Sequence, residues 1–249
     1  MQNICTLRSF VPALYSNMRL NLPILNPALR LVHDYKTKPC QCVHRKICTS
    51  SIKYAKQEED SVFKKILKKM GWTDLATTRR KVTAYFLYEN VADKLDYEYF
   101  FKVFNMPDTF NSWFLITELH VWILLVRSMA EGCEKDSYGR VMRNNIVEAL
   151  WADVATRSKQ LGVNSTVLRK QIQTLSEQFQ YALIGYDEGL ESDMILAAAI
   201  WRRIFERQCD DPELIEKLVI YVRKQIAFLD KIPSEEFLMK RELTLLRLD

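Results

Sequence analysis

Residues 110–131, FNSWFLITELHVWILLVRSMAE, contain the longest apolar stretch of the chain, which runs from Trp113 to Val126. These 14 residues include the polar side chains Glu118 and His120. A bilayer-spanning helix needs about 20 apolar residues, so the stretch predicts a buried helix and no transmembrane segment is expected. Because the helix would be apolar on nearly all sides, we expect it at the centre of a helical core.

On both sides of this stretch, apolar residues recur at the spacing of amphipathic helices. The chain has only 6 Gly and 7 Pro, against about 30 at average usage, and this scarcity favours helices over turn-rich β-structure. Residues 243–248 are the one candidate strand, with coil as the alternative. The sequence predicts a single compact all-α, multi-helix domain over residues 58–249. Helices are expected at about 58–70, 74–95, 110–131, 141–161, from 164 or 165 to a break at Gly185–Gly189, 192–205 and 212–229.

Residues 1–57 differ from the rest in charge. They carry nine basic residues and one acid, a net charge of +8, whereas the remaining residues carry 27 basic and 30 acidic side chains, a net charge of −3. A basic segment almost free of acids is typical of a mitochondrial transit peptide. We predict a largely unstructured leader at 1–57 that directs import and is removed. A disordered basic tail that stays on the protein is the alternative.

The chain offers few candidates for chemistry. It lacks the glycine-rich phosphate-binding motifs and the GxSxG nucleophile motif. The only histidine after the leader is His120, and it stands two residues from Glu118, so the two side chains face different directions on a helix. We expect His120 to be buried and hydrogen-bonded.

One cysteine- and histidine-rich cluster lies in the leader. Its residues have zinc-ligating side chains, but their CxCxHxxxC spacing departs from the usual paired CxxC. The cluster consists of Cys40, Cys42, His44 and Cys48. We assign no catalytic, cofactor-binding or metal-binding residue, and therefore expect a binding or chaperone role instead of an enzyme. A helical metal-binding or catalytic bundle is the alternative, and the acidic body argues against direct RNA binding.

Four stretches, taken together and in order, resemble the mitochondrial ubiquinol–cytochrome c chaperone family. They are MPDTFNSWFLITELHVWILLVRS at 106–128, VEALWADVATRS at 147–158, YDEGLESDMILAAAIWRRIFE at 186–206 and LVIYVRKQIA at 218–227. The similarity extends over about 62–229 and leaves the leader outside.

The resemblance implies a non-enzymatic assembly factor of respiratory complex III. Family members bind newly made cytochrome b together with a small partner protein and support its translation and stability. They are associated with the mitochondrial ribosome and with the matrix side of the inner membrane, so the resemblance implies a peripheral membrane contact. It implies no cofactor and no direct nucleic-acid binding.

The resemblance is densest in residues 186–203, and we hypothesise that this segment docks a partner. Its candidate contacts are Tyr186, Asp187, Glu188, Asp193, Arg202 and Arg203. The alternative interpretation is helix capping and structural ion pairs, in which the two arginines pair with an acid on a neighbouring helix such as Asp153. Gly185 and Gly189 are expected to supply a turn with positive φ.

Overall fold

The computed structural model describes residues 75–248 except 133, 135–136, 163 and 240–242, and the side chains of 75–77 and 239 are also left out. The leader, its cysteine cluster and the helix expected at 58–70 therefore lie outside the described residues. The described part contains helices and no strand. The helices are α1 (Leu75–Lys94), α2 (Tyr97–Val103), α3 (Phe110–Met129), α4 (Tyr138–Gln160), α5 (Ser165–Glu188), α6 (Asp193–Arg203), α7 (Pro212–Asp230) and α8 (Ser234–Met239).

Several helices begin with a side-chain cap from the residue before the first turn. Thr109 accepts a hydrogen bond from the Ser112 N–H at 3.2 Å at the start of α3. Asp211 accepts one from the Glu213 N–H at 2.9 Å at the start of α7, with Pro212 as the first helical residue. These oxygens satisfy amide groups that have no partner within the first turn of a helix. Ser192 holds the capping position of α6, but its side chain makes no capping bond.

Helix α3 is the centre of the molecule. It packs against α1, α4, α5 and α7, and its side chains join one continuous hydrophobic core. By length and composition it could cross a membrane, but 94% of its most apolar window is buried within the described part of the chain. The prediction of a single all-α domain built around a central helix is confirmed.

The connection into α4 is shorter than the sequence predicted, because α4 begins at Tyr138 and not at 141. This places Gly139 inside the first turn of the helix. A Cβ atom on Gly139 would lie 2.2 Å from the carbonyl oxygen of Ser128 and 2.4 Å from that of Gly132. Only glycine allows α4 to start this close to the end of α3.

Candidate partner-docking site

Helices α5 and α6 form an antiparallel pair, called the α5–α6 hairpin below. The expected break at Gly185 is wrong, because α5 continues through it to Glu188. Gly189 ends the helix with φ −65°, so neither glycine supplies the positive φ that was predicted. Their role is close packing: a Cβ atom on Gly189 would lie 2.8 Å from the Leu196 Cα atom, and one on Gly185 would lie 3.4 Å from the Ala199 Cβ atom.

Arg203 turns inward and binds Glu118 of the central helix. Its Nε donates to Oε1 at 2.8 Å and its second terminal nitrogen donates to Oε2 at 2.7 Å. The Glu118 side chain is completely buried, and burial raises its pKa to about 7 although Arg203 opposes the shift. A buried carboxylate needs such a partner, since desolvation of an unpaired charge is costly.

Tyr186 is also an interior residue. It is fully buried, and its ring lies 5.2 Å from the ring of Trp122 between centroids. Burial and the negative charge of Glu118 raise the pKa of the Tyr186 hydroxyl well above its ordinary value. The hydroxyl has no hydrogen-bond partner of regular geometry within the described residues. Packing against α3 removes the Tyr186 side chain from the surface of the chain.

Asp187 is a half-buried residue at the edge of the core. It accepts a hydrogen bond from the Trp122 indole Nε1 at 2.8 Å. Burial raises the pKa of Asp187 to about 6, and the bond from Trp122 partly offsets that effect. The hydrogen bond from Trp122 to Asp187 therefore joins α3 to α5.

Asp193 lies on the surface, next to the turn between the two helices. Arg223 of α7 donates to its carboxylate at 2.7 Å and also to the carbonyl oxygens of Leu190 at 3.1 Å and Gly189 at 2.7 Å. One guanidinium group thus holds both the helix end and the turn. The Asp193 side chain is 74% exposed, so its ion pair contributes little to stability.

The expected pairing of the arginines with Asp153 is wrong. Asp153 instead binds Arg157 of the same helix at 2.9 Å and accepts a bond from the Tyr88 hydroxyl at 2.8 Å. Arg202 has an exposed side chain, and no partner for it is seen among the described residues. Pairing with a neighbouring helix is thus realised only by Arg203, through Glu118.

The surface of the hairpin combines charge with exposed apolar side chains. Glu188 and Arg202 are exposed, and near them in sequence Tyr181, Met194 and Ile195 are 75%, 79% and 40% exposed. On α6, residues 194, 198 and 202 share one face because they are four residues apart. We call Tyr181, Glu188, Asp193, Met194, Ile195 and Arg202 the hairpin surface.

Sequence reasoning missed the three apolar members of this surface, since it looked only at charge. The exposure of Met194 and Ile195 could not be predicted from the sequence. In an amphipathic segment, the sequence alone does not show which apolar side chains pack against the core and which stay exposed. The Glu118–Arg203 pair had a usable signal: an acid on an almost entirely apolar helix must find a cation or become protonated. No three His, Cys, Asp or Glu side chains come together as metal ligands in the part of the chain that the structure describes.

The arrangement of helices is shared with a solved structure. The crystal structure of the Cbp3 homolog from Brucella abortus matches this fold with a TM-score of 0.58, over 75% of this chain and 97% of that chain. The identity is 19%, so this likeness concerns the fold alone.

Sequence comparison then identifies the family. Residues 102–244 match the family model described as Ubiquinol-cytochrome C chaperone. Ubiquinol-cytochrome c reductase complex assembly factor 1 of Drosophila melanogaster is 55% identical over 197 residues, 78% of this chain and 76% of the fly protein. The Homo sapiens protein of that name is 43% identical over 76% of this chain and 63% of its own length. The chain belongs to the ubiquinol–cytochrome c chaperone family, and the predicted resemblance is confirmed.

A more distant relative is Protein CBP3, mitochondrial, of Saccharomyces cerevisiae, which is 34% identical over 56% of this chain and 42% of its own length. The fly and human relatives are named as assembly factors of the ubiquinol-cytochrome c reductase complex, and the yeast relative is named as mitochondrial.

Proposed function

We propose that this chain is a non-enzymatic assembly factor of complex III in mitochondria. The observation that carries the proposal is the 55% identity to an assembly factor of that complex over 78% of this chain. In this proposal the protein binds newly synthesised cytochrome b, together with a small partner protein, and supports its translation and stability. It acts at the matrix side of the inner membrane, close to the mitochondrial ribosome.

The hairpin surface is the proposed docking site for the small partner. Three observations support it. The surface has exposed apolar side chains, and it has unpaired charges of both signs. The two helices are attached to α3 by Arg203 and Asp187, which are not part of the surface. An interface core of Met and aromatic side chains with a charged rim is the usual composition of a protein–protein contact. In this proposal Tyr186, Asp187 and Arg203 hold α5 and α6 against α3 and do not contact the partner.

Residues 1–57 are proposed to direct import and to be removed. The support is their net charge of +8 with a single acid, Asp34. The intact mass of the endogenous protein tests this: a mature chain that begins after the leader is expected, and a chain that retains Met1 contradicts the proposal.

The proposed function is tested by crosslinking in isolated mitochondria followed by mass spectrometry. We expect cytochrome b, one small protein and ribosomal proteins among the captured partners. Capture of none of them from intact, functional mitochondria would contradict the assembly role.

The docking surface is tested with charge reversals that leave the core alone. Glu188→Lys and Arg202→Glu are expected to keep the melting temperature and to lose the co-purifying small partner. Glu177→Lys and Arg169→Glu, exposed positions on α5 outside the hairpin surface, are the matched controls and should retain it. Retention of the partner by the double variant Glu188→Lys/Arg202→Glu would rule out docking at this surface.

A further inference from the structure

Residues 243–248 form neither helix nor strand, and residues 246–248 lie beside α7. Leu243 and Leu248 are buried at the two ends of the segment, whereas Thr244 and Arg247 are exposed. This segment, called the closing segment below, therefore has two buried anchor leucines that lie five residues apart.

Gln225 of α7 binds the backbone of the closing segment. Its Nε2 donates to the carbonyl oxygen of Leu246 at 2.8 Å, and its Oε1 accepts from the N–H of the same residue at 3.3 Å. Gln225 is fully buried. The Gln225 carboxamide thus pairs with both the backbone N–H and the backbone carbonyl of Leu246, as a neighbouring β-strand would.

Gln225 is itself oriented from the central helix. His120 Nδ1 lies 2.7 Å from the Ile116 carbonyl oxygen, which can only accept, so the proton is on Nδ1 and Nε2 is an acceptor. Tyr221 then donates its hydroxyl proton to Nε2 at 2.8 Å, in preference to the Leu246 oxygen at 3.3 Å. The same hydroxyl accepts the second proton of Gln225 Nε2 at 2.7 Å.

With a neutral His120 ring, every link of this chain has one direction. Burial lowers the pKa of His120 to about 4, which agrees with a neutral ring. The carboxamide of Gln225 is consequently fixed in the orientation that fits a peptide backbone. This preorganisation favours binding because little side-chain freedom is lost when a peptide arrives.

The groove is larger than the closing segment. A cavity of about 330 Å³ remains beside residues 246–248, and its other wall is formed by α7. Ile220 is 47% exposed there, next to charged residues of both signs: Glu213, Glu216, Lys217 and Lys224. The match to the family ends at residue 244, so Tyr221 and Gln225 lie within it while Leu246 and Leu248 lie beyond it.

We propose that this groove on α7 is a peptide-binding site that the closing segment occupies as an internal stand-in for an extended segment of a partner protein. The partner segment carries two leucine-sized side chains five residues apart. At the position that corresponds to Leu246 it can have any residue whose backbone N–H is free to donate. Gln225 reads only the backbone, so the site selects shape and apolar anchors instead of a fixed sequence. The proposal stands whichever complex the protein helps to assemble.

Purified full chain and a chain truncated after residue 242 are titrated with a fluorescent peptide of sequence LTLLRL, residues 243–248. The truncated chain is expected to bind it saturably and at least about tenfold more tightly than the full chain, whose tethered segment competes at high effective concentration. The peptide LAAARL, which keeps both anchor leucines, is expected to bind as well. The LTLLRL peptide with N-methylated Leu246 is expected to lose binding.

Full-length Leu248→Ala keeps the test decisive if truncation unfolds the chain, because it weakens the closing segment without removing it. It should bind the peptide more tightly than wild type, and addition of Gln225→Met should abolish that gain. Leu161→Ala and Gln173→Met, at exposed positions, are the matched controls.

Four results overturn the proposal. The first is absence of saturable peptide binding to the Leu248→Ala protein, and the second is equal binding of the N-methylated and unmodified peptides. The third is failure of LAAARL to bind, and the fourth is a dimer of the full chain that the peptide dissociates. The third would make the closing segment a purely internal clasp, and the fourth would assign the groove to a second copy.

Discussion

Asp187 and Glu188 are neighbours in the chain, and so are Arg202 and Arg203, yet within each pair one side chain is half-buried and bound to the central helix while the other is exposed. Asp187 binds Trp122 and Arg203 binds Glu118, whereas Glu188 and Arg202 are exposed. Successive helical residues point about 100° apart, so this division follows from the seating of α5 and α6 on α3. The comparison teaches that charge in a segment does not by itself identify a docking surface.

The largest effect is expected from Trp122→Asp, which breaks the inner side of this comparison. The new carboxylate would lie in the core beside Asp187, and two unpaired buried acids are comparable in cost with the roughly 5–15 kcal/mol stability of a domain. Circular dichroism should show loss of the cooperative thermal transition. Trp122→Phe, which removes only the indole hydrogen bond, should still fold. A Trp122→Asp protein that melts like wild type would show that Trp122 is not in the core.

Arg203→Met leaves Glu118 buried without its cation. We expect destabilisation by about 3–5 kcal/mol in urea unfolding at neutral pH, the usual cost of breaking a buried pair from one side. The double variant Glu118→Gln/Arg203→Met should recover much of this loss, because no unpaired charge remains. Arg202→Met is the matched surface control and should unfold like wild type. Equal stability of the Arg202 and Arg203 variants would show that Arg203 does not compensate a buried charge.

Asp187→Asn tests the inner acid through pH. The folded pKa of Asp187 is about 6 against an ordinary 3.8, so between these values the folded state binds more protons than the unfolded state. The contribution of this carboxyl to stability therefore falls as pH rises from about 4 to about 6.

Asparagine removes this titration and can still accept the bond from Trp122. Relative to wild type, the variant should gain about 1–3 kcal/mol between pH 4 and pH 6.5, measured by urea unfolding at each pH. Glu118 and His120 titrate in both proteins and cancel in the difference. A difference that stays constant with pH would place Asp187 in water.

The smallest effect is expected from Asp193→Ala, on the outer side. The exposed pair with Arg223 should be worth no more than about 1 kcal/mol in thermal unfolding. Arg223→Ala should cost more, because the guanidinium also binds two carbonyl oxygens of the turn. If Asp193→Ala is the more damaging of the two, the carboxylate and not the turn is what Arg223 stabilises.

Local patterns in the sequence determined the all-helical fold, the central position of α3 and the caps at Thr109 and Asp211. Each depends on residues within one or two helical turns of one another, where the 3.6-residue period and the unpaired first amides act directly. The buried state of His120 could also be predicted, because a lone polar side chain on an apolar helix has few other places to lie.

Only the tertiary structure decided which charges of segment 186–203 are inside, and that Gly185 and Gly189 serve close packing instead of a turn. It also decided that residues 243–248 lie on α7 with their backbone bound by Gln225. The Arg203–Glu118 and Trp122–Asp187 contacts join residues 85 and 65 positions apart. Such contacts depend on the rotation and register of whole helices against each other, and no local period in the sequence specifies either.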